Sequence, residues 1–145
     1  MIGFSDSDPL EASSSTVVVE TYVGGMSYDI DDGTSVTSVS WGTGNDNLAF
    51  DGDGNLWVFQ DGGNNYIWTV GSNHSTLNPQ VKLFGRVPIG SEPTGITFTP
   101  DGKYLFMSLQ HPFPSNIDTQ YDASGRLIQW NRNTTIVIAR KELLG

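Results

Sequence analysis

Two acidic residues, Asp46 and Glu92, each stand just ahead of an apolar run that reads as a strand: Leu48-Ala49-Phe50 in one case and Ile96-Thr97-Phe98 in the other. Carboxylates delivered from separate segments to one place are what a hard cation requires, because calcium takes six to eight oxygen ligands at about 2.3–2.6 Å. Asn47 can add a carbonyl oxygen beside Asp46. The competing reading is that Asp46 caps a turn and Glu92 is solvated. Asp61, Gln110 and His111 form a second tier. Asp61 follows the strand-like Leu56-Trp57-Val58-Phe59-Gln60, and Gln110 and His111 follow Tyr104 to Leu109. His111 can bind a metal, contact phosphate or make a structural hydrogen bond. Asp51, Asp53 and Asp101 lie within or beside Asp-Gly turns, where aspartate side chains usually bond their own backbone. Asp51-Gly52-Asp53-Gly54-Asn55 lacks the twelve-residue spacing and terminal Glu of an EF-hand loop. There is no Gly-x-Ser-x-Gly, no Gly-rich loop with Lys and no His-Glu-x-x-His, so any hydrolysis has to be metal-assisted.

The elements that would position these residues are hairpins. Leu48 to Phe59 and Ile96 to Met107 are each an apolar strand, a turn carrying Asp-Gly and a second apolar strand. Asp-Gly supplies the positive φ of a tight hairpin turn, and the flanking β-branched and aromatic residues suit strands. Phe50, Asp53 and Gly54 match Phe98, Asp101 and Gly102 at an offset of 48 residues. An all-strand period of roughly 40 to 50 residues is the mark of propeller blades. In a propeller the first strand of each blade lines the central channel, which would bring Asp46 and Glu92 to one rim.

The expected fold is therefore all-β: a partial β-propeller with about two four-stranded blades, residues 45–88 and 92–141, within a unit spanning 15–145. Residues 66–70 and 81–84 complete the first blade. Residues 126–130 and 135–139 complete the second. Residues 15–23 resemble 134–140 and read as the outer strand of a preceding blade, and residues 1–14 read as a polar linker or disordered start. Phe50, Trp57, Trp68, Phe98 and Phe106 are expected in the core and between blades, and His74 in an exposed loop. Propellers close with about four to eight blades, so two leave bare faces and edges. The remaining blades or self-association must cover them.

Composition narrows the partners. The 145 residues carry a net charge of −9, with 37% hydrophobic and 16% charged residues. That balance argues against nucleic acid and anionic membrane surfaces, which require a basic face. It permits phosphate esters if bound metal inverts the local sign. The absence of cysteine excludes disulfides and thiolate ligands within the chain. No run of about 18 apolar residues exists to span a membrane, and the first residues lack the pattern of a signal peptide.

Asp46-Asn47-Leu48-Ala49-Phe50-Asp51 with Gly54-Asn55-Leu56-Trp57-Val58, followed by Glu92-Pro93-Thr94-Gly95-Ile96-Thr97-Phe98-Thr99-Pro100-Asp101-Gly102 with Gln110-His111-Pro112, resembles the C-terminal portion of PhoX-type alkaline phosphatases. These are periplasmic or secreted bacterial propellers. The resemblance covers roughly residues 45–140. It implies phosphomonoester hydrolysis at a calcium and iron cluster held mostly by carboxylates from several blades, with Asp46, Glu92 and Asn47 as metal ligands here. His111, Gln110 and Asp61 are then further metal or substrate contacts, and the catalytic group stays unknown. One ligand of the family is a cysteine from its N-terminal part, which this chain lacks, so the expectation is a fragment that contributes to a site and is inactive alone. Two other readings stand beside it: a non-catalytic propeller module for assembly or surface interaction, and a lactonase-like calcium hydrolase.

Overall fold

The computed structural model describes the chain except residues 9, 12, 14, 15, 118, 119 and 145. It is all-β, built of propeller-like antiparallel sheets, with no α-helix among the described residues. The central sheet has four strands in sequence order: β5 (Asn45–Phe50), β6 (Leu56–Gln60), β7 (Tyr66–Val70) and β8 (Val81–Arg86). Its hairpin turn is locked by Asp51. The carboxylate accepts hydrogen bonds from the Asp53 and Asn55 backbone amides, the Asn55 side chain and Trp57 Nε1. Burial pushes the Asp51 carboxyl up, but these donors outweigh it and hold the group below its usual value.

Strand alternation gives this sheet two apolar faces. Leu56 and Val58 pair with Val70 and Trp68 on one face, while Phe59 pairs with Ile67 on the other. The first face meets a hairpin of β3 (Ser27–Asp31) and β4 (Val36–Ser40). There Val23, Tyr28 and Trp41 close a core over Trp68. The Trp41 and Trp68 rings stack 5.0 Å apart at 25°, a geometry worth about 0.5–1.5 kcal/mol beyond area burial. The second face meets β9 (Glu92–Phe98) and β10 (Tyr104–Gln110), where Phe59, Ile67 and Val87 pack on Met107 and Leu109.

Four expectations need correction. The second blade has three strands, in the order β9, β10, β13 (Thr134–Ala139). Residues 126–130 do not join it: Leu127–Ile128 (β12) pairs with Gln120–Tyr121 (β11), because Asp122 ties that segment into a local turn through Ser124 and Arg126. Within the first fourteen residues, Ile2–Asp6 forms a strand, β1, paired with β2 (Val17–Thr21) as a two-stranded ribbon, so β2 joins no blade sheet. Residues 9, 12, 14 and 15 of those segments lie outside the described residues. Phe50 and Phe106 are 67% and 42% exposed, whereas Trp68 is fully buried and Trp57 and Phe98 are half-buried. His74 is half-buried rather than free in a loop. Its Nδ1 accepts the Gln80 amide, so Nε2 carries the proton and donates to the Tyr22 carbonyl at 2.8 Å, fastening the segment after β2 to the central sheet.

Candidate metal centre

The inner strands β5 and β9 lie side by side, and the strand ends opposite the Asp-Gly turns carry the acidic residues. Asp46 lies near the start of β5, Asp61 directly follows β6, and Glu92 begins β9. One carboxylate oxygen from each of the three lies within 4.8 Å of the others. Asp46 and Asp61 are exposed and Glu92 is half-buried.

Local structure explains how they meet. Asn45 pairs with Gln60 and Asn47 with Phe59, so Asp46 is the extra residue of a β-bulge. A bulge interrupts alternation and re-aims a side chain. Asp61 is held by its own amide, which donates to the Gly44 carbonyl at 2.6 Å. Gly44 has φ +75°, and a Cβ there would collide with the Asp61 carbonyl oxygen and come within 2.9 Å of its carbon. Only glycine suits that position.

Beneath the carboxylates lie two buried amides that sequence inspection did not single out. Gln60 is 1% exposed and its Nε2 donates to the Trp41 and Thr43 carbonyls, each at 2.9 Å. Asn65, 5% exposed with φ +54°, donates from Nδ2 to the Ser91 carbonyl at 2.6 Å and so anchors the residue before Glu92. The only signal for either was a polar residue at the end of an apolar run.

Of the six candidates read from sequence, the structure gathers Asp46, Asp61 and Glu92. Asn47 lies between blades: its Oδ1 accepts hydrogen bonds from Thr94 Oγ1 at 3.0 Å and the Gly95 amide at 3.3 Å, and its Nδ2 donates to Asp46 Oδ1 at 3.1 Å. Gln110 is the strand partner of Glu92. His111 is exposed, has φ +54°, donates from its backbone amide to Asn133 Oδ1 at 2.9 Å and stands outside the carboxylate cluster.

The donor set suits a hard cation. Two salt bridges occur among the described residues, Lys103–Asp101 and Arg126–Asp122, and neither touches the cluster. Three carboxylates thus share a small space without a cationic side chain. Asn45 Oδ1 and Ser91 Oγ, on the residues preceding Asp46 and Glu92, are buried without a hydrogen-bond partner.

Comparison with known protein families matches residues 11–113 to alkaline phosphatase PhoX. The chain belongs to the PhoX family. Neither curated proteins nor solved structures gave a match. The match includes Asp46, Asp61 and Glu92 together with both Asp-Gly hairpins, and ends just past His111. PhoX phosphatases depend on metal, and a three-carboxylate group in a PhoX chain accords with that chemistry.

Proposed function

We propose that this PhoX chain is a portion of a metal-dependent phosphomonoesterase and contributes Asp46, Asp61 and Glu92 as oxygen ligands at the mouth of a propeller channel. The observation that supports this most directly is the convergence of three carboxylates from three strand ends, with no basic side chain paired to them among the described residues. Calcium and iron are the metals the family resemblance implies. Bound there, they would polarise phosphoryl oxygens and offset the repulsion between a chain of net charge −9 and an anionic ester.

The chain's own residues do the positioning. Asp46 stands at the β-bulge between Asn45 and Asn47, and the Asp61 amide is fastened to the Gly44 carbonyl beside it. Asn47 joins the two inner strands through Thr94 and Gly95, and in this role it braces the site while its carbonyl oxygen is engaged. Gln110 and His111 lie across from and beyond Glu92, at the edge where a substrate would approach. Three carboxylates cannot fill the coordination shell of calcium. The remaining ligands and the nucleophile would come from other blades, so the chain is inactive alone and the full-length protein acts in the periplasm or outside the cell. No helix among the described residues is long and apolar enough to cross a membrane.

Calcium titration of the 145-residue chain, followed by calorimetry, tests the ligand assignment. Asp46→Asn, Asp61→Asn and Glu92→Gln are each expected to weaken binding at least about tenfold, equivalent to about 1.4 kcal/mol. In the full-length protein each is expected to abolish phosphatase activity without changing the circular dichroism spectrum. Unaltered calcium binding in all three variants would refute the assignment.

A further inference from the structure

An aspartate followed by glycine can react with its own backbone. The nitrogen of the glycine amide attacks the side-chain carboxyl carbon and closes a succinimide ring, and glycine has no Cβ to obstruct the approach. A C–N bond forms and a C–O bond breaks. One carboxyl oxygen leaves as water, taking the amide proton and one proton from solvent. Water then reopens the ring at either carbonyl, returning aspartate or leaving isoaspartate, in which the main chain runs through the former side chain. Closure requires a carboxylate free to swing and an amide nitrogen that donates to nothing.

The chain has five such pairs, beginning at Asp32, Asp51, Asp53, Asp61 and Asp101, and the structure restrains four of them. The Asp51 carboxylate accepts from the Asp53 and Asn55 amides, the Asn55 side chain and Trp57 Nε1. Asp32 accepts from the amide and hydroxyl of Thr34 and the Ser35 amide, while the Gly33 amide donates to Asp31 Oδ1 at 2.8 Å. Asp101 accepts from Thr99 Oγ1 and the Lys103 amide, and the Gly102 amide donates to the Thr99 carbonyl at 2.8 Å. After Asp53, the Gly54 amide donates to the Asp51 carbonyl at 3.1 Å. Each hydrogen bond that must first break slows ring closure roughly tenfold.

Asp61-Gly62 differs on both counts. Both residues are exposed. Among the described residues no hydrogen bond reaches the Asp61 carboxylate, and the Gly62 amide donates none. Gly62 is bonded through its carbonyl, which accepts the Asn65 amide at 3.2 Å and leaves its nitrogen uncommitted. A Cβ built on Gly62 or Gly63 would meet nothing within 4 Å, so the segment has room to turn. We propose that Asp61-Gly62 is a modification site, where the folded chain isomerises through a succinimide to isoaspartate while its other four Asp-Gly pairs are held back. The product has a side chain one carbon shorter on a main chain one carbon longer, which withdraws the carboxylate from Asp46 and Glu92. That consequence rests on the metal-site reading; the isomerisation does not.

The test ages the 145-residue chain at neutral pH with a chelator present, folded in one sample and in concentrated urea in another. Peptides are then mapped by mass spectrometry with electron-transfer fragmentation, which distinguishes isoaspartate from aspartate. In urea the five pairs are expected to react at similar rates. In the folded chain Asp61 is expected to react at least about tenfold faster than any of the other four. Gly62→Ala, whose methyl group obstructs the attack, is expected to suppress the product at Asp61. Another pair reacting ahead of Asp61 in the folded chain, equal rates at all five, or an undiminished product in Gly62→Ala overturns the proposal. The isomerised chain, separated from the fresh one, is expected to bind calcium at least about tenfold more weakly. Isomerisation confined to Asp61 with calcium affinity unaltered supports the proposal and counts against Asp61 as a ligand.

Discussion

Replacing Gly44 by alanine isolates the geometric requirement of the carboxylate cluster. Two costs act together. An L-residue in the left-handed region costs roughly 1–2 kcal/mol, and Gly44 has φ +75°. The new Cβ also collides with the Asp61 carbonyl, forcing β5 and β6 apart where the Asp61 amide bonds the Gly44 carbonyl at 2.6 Å. Losing that bond costs about 1 kcal/mol more. The reduced freedom of the unfolded chain returns about 0.5 kcal/mol. A net loss of about 1.5–2.5 kcal/mol lowers Tm by about 8 °C for a chain of this size. Gly62→Ala is the control, because Gly62 has φ +77° but nothing within 4 Å of its Cβ position. It bears only the backbone cost, about 1 kcal/mol after the unfolded-state gain. Thermal melts followed by circular dichroism compare the two, and calcium titration follows in parallel. Gly44→Ala is expected to weaken binding at least about tenfold and Gly62→Ala to leave it unchanged. Equal melts and equal calcium affinities for the two variants would show that Gly44 does not hold Asp46 and Asp61 in place.

Gln60→Leu keeps most of the side-chain volume but strips the Trp41 and Thr43 carbonyls of their donor. The expected loss is about 3 kcal/mol, read as a lower urea midpoint, and a loss below about 1 kcal/mol would contradict the bracing role. A dependence on acid follows from the turns. Hydrogen bonds from Thr34 to Asp32, and from Ser124 and the Arg126 amide to Asp122, hold both carboxyls at about 2 instead of 3.8. A folded-state value below the unfolded one means that the stabilisation is present above pH 3.8 and fades as pH falls toward 2. The double variant Asp32→Asn, Asp122→Asn should flatten the urea midpoint against pH in that window, and an unchanged slope would contradict this origin.

Much of the architecture was readable because the Asp-Gly hairpins are local. Asp51 and Asp101 bond within a few residues of themselves, and the strands flanking them carry the β-branched and aromatic residues that pleated sheets favour. The meeting of Asp46 with Glu92 followed from strand direction: turns at one end of a hairpin leave the opposite ends for the carboxylates. Features set by tertiary structure were out of reach. Gln60 and Asn65 bond to carbonyls 19 and 26 residues away, so no local pattern announces them. Asn47 Oδ1 accepts from the Gly95 amide, 48 residues away, a contact that no local pattern announces. The β3–β4 hairpin did have a legible signal, alternating residues around Asp31-Asp32-Gly33-Thr34, but it lies outside the 48-residue repeat. Ile2–Asp6 has the composition of a linker, and pairing with β2 makes it a strand.

The two-sided burial of the central sheet governs how the molecule comes apart. Both apolar clusters use β6 and β7, so neither neighbour can detach without wetting half of the other's support. Amide exchange is therefore slowest along Leu56–Gln60 and Tyr66–Val70. Opening proceeds inward from the ribbon of Ile2–Asp6 and Val17–Thr21 and from the hairpin at 120–128, which fray at little free-energy expense.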